Sequence, residues 1–199
     1  MAALGESLLT RAFGQPAGLL GRVGGRLMAR GNGPTERHLA ELAEPHRGHS
    51  IVVIGPGPGI GMEAAASTGA RRVVGVDPSP VMRAACRRRC APLTDRVDFE
   101  FVDGTAAHTG QPDAAADVVI SVNNLFIWPD RAAGLHEIYR ILRPGGCLLV
   151  STHNKWLPGG RDALAANVQD AGFTDVTTWA WEPPGPGATQ AAQLRAVRP

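Results

Sequence analysis

Tyrosine and lysine are almost missing from this sequence. Tyr139 and Lys155 are the only examples of each, and Phe, Trp and Tyr together make up 5% of 199 residues. Positive charge is therefore carried by arginine. The 20 basic residues are balanced by 18 acids to a net charge of +2. Such a balance argues against a phosphate track for nucleic acid and against strong attraction to an anionic membrane. Arginine enrichment beside abundant Ala and Gly reads as compositional bias. Cysteine is scarce as well. Cys86, Cys90 and Cys147 are odd in number and lack framework spacing, which argues against a secreted disulfide scaffold and for a reducing cytoplasm. Cys86 and Cys90 share a helix face, but no His or second Cys pair completes a zinc site, so they read as packing or surface thiols and no metal is expected. No apolar run approaches the roughly 20 residues that span a bilayer. The opening "MAALGESLLTRAFGQPAGLLGRVGGRLMARG" is interrupted by Gly, Pro and Arg, and lacks the unbroken apolar core of a secretory signal.

What is present is enough for one α/β domain with a sizeable core, with 44% hydrophobic residues. Residues 1–49 read as a separate helical segment. "ESLLTRAF" and "GLLGRVGGRLMAR" are short amphipathic stretches. "PTERHLAELAEP" predicts a helix with Pro34 in its first turn, Leu39 and Leu42 on an apolar face, and Pro45 at its end. From residue 50, apolar strands alternate with helices: "SIVVIG", "RRVVGVD", "RVDFEFVDG", "ADVVISVNN" and "CLLVSTHN" are strands. The helix "PDRAAGLHEIYRILRPGG" is expected to run to its Pro-Gly-Gly. "TDVTTWAW" and "TQAAQLRAVRP" follow each other through "EPPGPGA" without a helix, so they can pair antiparallel. The fold class is α/β: a Rossmann-like, doubly wound, mostly parallel seven-stranded sheet with an antiparallel last strand.

Between the first strand and its helix lies "GPGPGIG", with glycine at Gly55, Gly57, Gly59 and Gly61. A nicotinamide fingerprint of Gly-x-Gly-x-x-Gly/Ala fails from Gly55, where the sixth residue is Ile60, and from Gly57, where it is Met62. It passes from Gly59, where Ala64 is sixth, but that register starts well past the strand. No Gly-Lys-Ser/Thr follows, which excludes a Walker A loop. Pro56 and Pro58 lack the N–H groups a phosphate needs. Such a loop suits a ligand with an ammonium and a carboxylate beside an adenosine, with carbonyls for the ammonium and the remaining glycine N–H groups for the carboxylate. S-adenosylmethionine is such a ligand. Asp77 ends the second strand, where an acid holds ribose hydroxyls or caps the next helix. Asp103 ends the third, placed to accept from an adenine amino group or to cap a short helix.

The ordered set "VVIGPGPGIG", "VVGVDPSPVM", "FVDGTA", "ADVVISVNNLFIW" and "EIYRILRPGGCLLVST" resembles the class I S-adenosylmethionine-dependent methyltransferases, in particular the small-molecule group around the ubiquinone and menaquinone methyltransferases. The match covers roughly residues 50–152. The resemblance implies S-adenosylmethionine as cofactor, with Gly55, Gly57 and Gly59 along its methionine part and Asp77 on the ribose. Pro78, Met82, Asp103 and Gly104 would lie near the adenine, and Ser121 to Asn124 between cofactor and substrate. Family members often carry an acid two residues before the first glycine, where this sequence has Val53.

Methyl transfer from a sulfonium is an in-line displacement that asks a protein mainly for alignment and exclusion of water. A base helps when the acceptor is a phenol, enol or carbon acid. His153, just past the fifth strand, is the candidate, ahead of His108 and His136. Asn123 and Asn124 are candidates to orient a substrate oxygen or to end the strand. Phe126, Trp128 and Trp156 are candidate walls for the acceptor, or core residues. Arg87-Arg88-Arg89 reads as a solvated helix face. The expectation is a cytoplasmic enzyme acting on a small, partly apolar acceptor, with residues 50–199 as the S-adenosylmethionine-binding methyltransferase domain. The acceptor pocket is covered by residues 1–49, by the partner subunit of a homodimer, or left open, and residues 1–49 are the expected lid. A cofactor-binding sensor, a nicotinamide oxidoreductase and a nucleic-acid methyltransferase are the rivals.

Overall fold

The computed structural model describes residues 31–44, 48–184 and 189–199. The helical stretches expected over residues 6–13 and 18–30, the expected stop at Pro45, and most of the Pro/Gly connection after Glu182 lie outside them. Residues 31–42 are helical (α1). Then follow β1 (Ser50–Ile54), α2 (Ile60–Ser67), β2 (Arg72–Val76), α3 (Pro80–Cys90), β3 (Asp98–Val102), β4 (Ala116–Val122), α4 (Arg131–Ile141), β5 (Leu142–His153), α5 (Gly160–Asp170), β6 (Thr174–Trp181) and β7 (Ala191–Val197). The seven strands form one sheet in the order β3-β2-β1-β4-β5-β7-β6. β7 runs antiparallel to both neighbours and the other pairings are parallel.

Strand alternation explains the two-sided core. Val52 and Ile54 face one way, against Leu135 and Ile138 of α4 and Leu164 and Val168 of α5. Ile51 and Val53 face the other, against Leu39 of α1, Met62 of α2, and Cys86 and Cys90 of α3. The thiols are thus packing residues, and burial pushes Cys90 up to about 11 and Cys86 higher still. Among the described residues no group of three His, Cys, Asp or Glu could hold a metal, and no helix is long and apolar enough to cross a membrane.

Two expectations are corrected. α4 ends at Ile141, and the Pro-Gly-Gly belongs to β5. The register shifts there, with Ala116 opposite Leu142 but Val118 opposite Cys147. Residues 143–146 bulge out and are tied to the chain end, Gly145 N–H to Arg198 O at 2.7 Å and Arg198 N–H to Gly146 O at 2.9 Å. On α1, Leu42 is exposed. The buried face is Thr35, Glu36, Leu39 and Ala40, so the helix is turned from the expected orientation and carries a carboxylate inward.

The order of connection reverses between β1 and β4, which opens a crevice outside their carboxyl ends, the usual ligand position in such sheets. Gly55 leaves β1 at this point and Asn123 leaves β4.

Candidate active site

The glycine loop is built from positive-φ residues, with Gly55 at +61°, Gly57 at +52° and Gly59 at +90°. Its polar groups are tied down. Gly55 N–H donates to Val76 O at 2.9 Å and Gly59 N–H to Pro56 O at 2.9 Å. Gly57 O accepts from Cys86 Sγ at 3.0 Å, and Pro58 O from Arg89 Nε at 3.0 Å. Gly61 N–H donates to a Glu36 carboxylate oxygen at 2.6 Å. From the sequence, the remaining glycine N–H groups are expected to meet a ligand carboxylate. In the structure the N–H groups of Gly55, Gly59 and Gly61 already have protein acceptors, and the Gly57 N–H is directed at the Asp77 carboxylate. The glycine N–H groups are thus engaged by the protein, a further reason beyond the two prolines for a loop poor in donors to a phosphate. Gly57 still opens on space: a Cβ built on it meets nothing within 4 Å.

Asp77 follows β2 and is 7% exposed. The N-cap of α3 is Ser79, whose hydroxyl accepts from Met82 N–H at 3.4 Å. Asp77 instead accepts from Ser79 N–H at 2.8 Å. Burial raises its carboxyl to about 6, against lowering by the Ser79 and Gly57 main chains and by Arg83. Two main-chain N–H groups, of Ser79 and Gly57, thus face a largely buried carboxylate at the mouth of the crevice, whose oxygens can accept further donors. Pro78 and Met82 flank it, Met82 buried. Asp103 is exposed, and both its oxygens take Arg83, at 3.0 and 3.1 Å. Arg83 also donates to Asp77 O at 2.7 Å, so one guanidinium ties the ends of β2 and β3 together. Gly104 lies beside Asp103, where a Cβ would meet His108 O at 2.6 Å.

Beyond β4 the two asparagines divide the work. Asn124 is fully engaged: its Nδ2 donates to Ile54 O at 2.6 Å, and its Oδ1 accepts from Ser121 Oγ at 2.8 Å and Trp128 Nε1 at 2.9 Å. Ser121 and Trp128 therefore meet the crevice through Asn124, and Trp128 also packs on the core. Asn123 holds a left-handed φ of +52°. Its Nδ2 donates to Asn32 Oδ1 on α1 at 2.9 Å, and its main chain to Ser151 O at 2.8 Å. Among the described residues, three buried side-chain polar atoms have no partner: Asn123 Oδ1, Thr152 Oγ1 and His153 Nδ1. All three lie at the carboxyl ends of the neighbouring strands β4 and β5. His153 is held below the usual imidazole range by burial and by Lys155, while the Thr189 main chain acts the other way. With Nδ1 unpartnered, that bond falls on Nε2 and leaves Nδ1 as a bare acceptor. Phe126 and Trp156 stack at 5.8 Å, and Trp156 is 42% exposed. His136 and His108 are exposed. Sequence reading missed Glu36, Asn32, Arg83 and Thr152. Glu36 stands three residues before Leu39, which was the available signal.

A methyltransferase-domain family model matches residues 52–150. The chain is 30% identical over 163 residues to the uncharacterized methyltransferase YdaC of Bacillus subtilis, covering 77% of this chain and 87% of that protein. It is 34% identical over 142 residues to a 27-O-demethylrifamycin SV methyltransferase of Amycolatopsis mediterranei, covering 67% of this chain and half of that protein. A probable S-adenosylmethionine-dependent methyltransferase of Mycolicibacterium smegmatis is 37% identical over 115 residues, 57% of this chain and 42% of that one. Among solved structures, a Haloferax volcanii methyltransferase in complex with the activator Trm112 superposes with a TM-score of 0.73 at 21% identity, over 88% of this chain and 93% of that one. The fold and crevice define a Rossmann-like nucleoside-binding enzyme. The chain belongs to the class I S-adenosylmethionine-dependent methyltransferases, and S-adenosylmethionine is its cofactor. The open space at Gly57 and the buried carboxylate of Asp77 at the end of β2 fit that group. Neither the sensor reading nor the nicotinamide reading is favoured.

Proposed function

We propose that this methyltransferase acts on a small, partly apolar acceptor that presents a hydroxyl or amine hydrogen to the ends of β4 and β5. The observation that carries this is the pair of unpartnered acceptors Asn123 Oδ1 and His153 Nδ1 at the ends of β4 and β5, with the stacked Phe126 and Trp156 in the segments that follow those strands, while Thr152, one residue before His153 on β5, faces the other side of the sheet. Buried polar atoms call for donors, and the aromatic pair offers an apolar wall. Bound S-adenosylmethionine supplies a methyl group on a sulfonium. In this reading Gly55, Gly57 and Gly59 line its methionine part, Asp77 accepts from the ribose, and Pro78, Met82, Asp103 and Gly104 border the adenine. Ser121 and Asn124 brace the loop from below, with Trp128 behind them. Asn123 orients the acceptor, and His153 Nδ1 takes its proton. The name of the rifamycin relative supports a small-molecule acceptor.

The test is transfer of labelled methyl to a panel of simple phenols and alkylamines. His153→Gln is expected to lower kcat by about a hundredfold or more, the scale of general-base loss, with KM for S-adenosylmethionine little changed. Wild-type transfer to no member of the panel, or an unchanged kcat in the variant, rejects the reading.

Residues 1–49 are proposed to cover the acceptor. Asn32 reaches Asn123, and His38 stacks on Trp181 at the end of β6, with ring centroids 4.3 Å apart. Deleting residues 1–32 is expected to depress turnover far more than the melting temperature. A truncated protein that turns over normally would remove the lid from the account.

A further inference from the structure

α2 begins without a side-chain cap of its own, because its N-cap residue is Gly59. The helix start is nonetheless filled. Glu36, on α1 and 8% exposed, places a carboxylate oxygen 2.6 Å from Gly61 N–H. The fit is close: a Cβ on Gly61 would come within 3.2 Å of that oxygen. In a dinucleotide site this helix start receives the pyrophosphate. Here the protein supplies its own anion at that position. The position disfavours the ionised carboxylate. Burial raises it to about 7, opposed by Gly61 N–H and by Arg89 and Arg37. Its folded value stands above the unfolded one. Its contribution to stability is therefore complete below the ordinary carboxylate range and is lost as pH rises through about 7. At neutral and alkaline pH the chain keeps an ionised group that its fold disfavours.

We propose that Glu36 is the charge that selects the ligand's tail: it repels phosphate from the start of α2 and favours a ligand with net positive charge beside the adenosine. Val53 leaves β1 without an acid two residues before Gly55, and Glu36 brings one to the same loop from another element. Resting on the cofactor assignment, this goes beyond it by naming the residue that discriminates among adenosine ligands. The groups facing Glu36 are Arg37 on its own helix, Arg89 and Cys86 on α3, and Gly61 N–H on α2. The arginines moderate the charge without a hydrogen bond to it among the contacts that define Glu36.

The test compares S-adenosylmethionine with 5′-methylthioadenosine, which keeps the adenosine but has neither sulfonium nor amino acid. Calorimetry on Glu36→Gln is the measurement, because the amide oxygen still accepts from Gly61 N–H and the variant is expected to melt higher than wild type at pH 8. At pH 8 the wild-type preference for S-adenosylmethionine over methylthioadenosine is expected to fall about fivefold or more in the variant, with methylthioadenosine affinity unchanged. At pH 5.5, with Glu36 protonated, the two proteins should show the same preference. Equal weakening of both ligands would mean a structural role only, and an unchanged preference would mean none; either overturns the proposal. If wild type binds neither ligand, the cofactor assignment fails instead.

Discussion

Replacing Asp77 with alanine is expected to raise the dissociation constant for S-adenosylmethionine by about ten- to a hundredfold, the range for lost hydrogen bonds to a charged acceptor. The carboxylate is buried at the end of β2, with Ser79 N–H on one oxygen and capacity left for ribose hydroxyls. Its raised value, about 6, fixes the pH dependence. Hydroxyl donors favour the ionised form, so binding draws the group down. Apart from the smaller change through Glu36 near pH 7, the part of the affinity that Asp77 supplies is full above about pH 6 and falls by about tenfold per pH unit below it. In Asp77→Ala this slope is absent. The effect on folding has the opposite sign. With a folded value above the unfolded one, Asp77 contributes stability only below the ordinary carboxylate range, and that contribution disappears as pH rises through about 6. At pH 7.5 the alanine variant gains nothing from this linkage and loses the acceptor of Ser79 N–H, so it should be less stable than wild type by about 1 kcal/mol, the scale of one hydrogen bond. Calorimetry from pH 5 to 8 decides: wild-type affinity in the variant, or a pH-independent wild type, contradicts the ribose role.

The sheet was legible because strand and helix periods alternate cleanly from residue 50, and the absence of a helix between the last two strands marked the antiparallel turn. The end of α4 was not legible. Pro144-Gly145-Gly146 looks like an ordinary helix stop, whereas pairing of Gly145 and Gly146 with Arg198 depends on the far end of the chain. The crevice was legible in outline, since Gly55, Asp77 and Asp103 each end a parallel strand. What each side chain does there was not. Adjacent Asn123 and Asn124 read alike in sequence, yet the left-handed turn at Asn123 sends one amide towards Asn32 and the other beneath the glycine loop. Likewise, the prolines revealed two missing donors, but the N–H groups of Gly55 and Gly61 are engaged by distant partners, Val76 and Glu36, and only that of Gly59 by the loop itself. Glu36 escaped because Leu42 was given the inward face. The helix turns Thr35 and Glu36 inward instead, where Gly61 offers a donor.

Gly55→Ala and Gly57→Ala are expected to fail in different ways, although both glycines lie in one loop at positive φ. An alanine Cβ at Gly55 would sit 2.5 Å from Asn124 Nδ2. Asn124 cannot yield without releasing Ile54 O, Ser121 Oγ and Trp128 Nε1, the three groups its amide joins. Each buried group left unpaired costs about 1–3 kcal/mol, and the left-handed backbone adds about 1 kcal/mol of strain. Partial relaxation leaves an expected loss of about 3–5 kcal/mol, large against the stability of an ordinary domain. Gly57 has no such neighbour. Its Cβ points into open space, so Gly57→Ala should lose only the strain, about 1 kcal/mol. In the proposed cofactor site the methionine part passes this glycine, so there the added Cβ is expected to lower cofactor affinity at least about tenfold in a folded protein. Urea unfolding and calorimetry on the pair separate the two roles. A fully stable Gly55→Ala would mean that Asn124 does not brace the loop. Wild-type affinity in Gly57→Ala would mean that the ligand does not pass this glycine, and the crevice would need another tenant geometry.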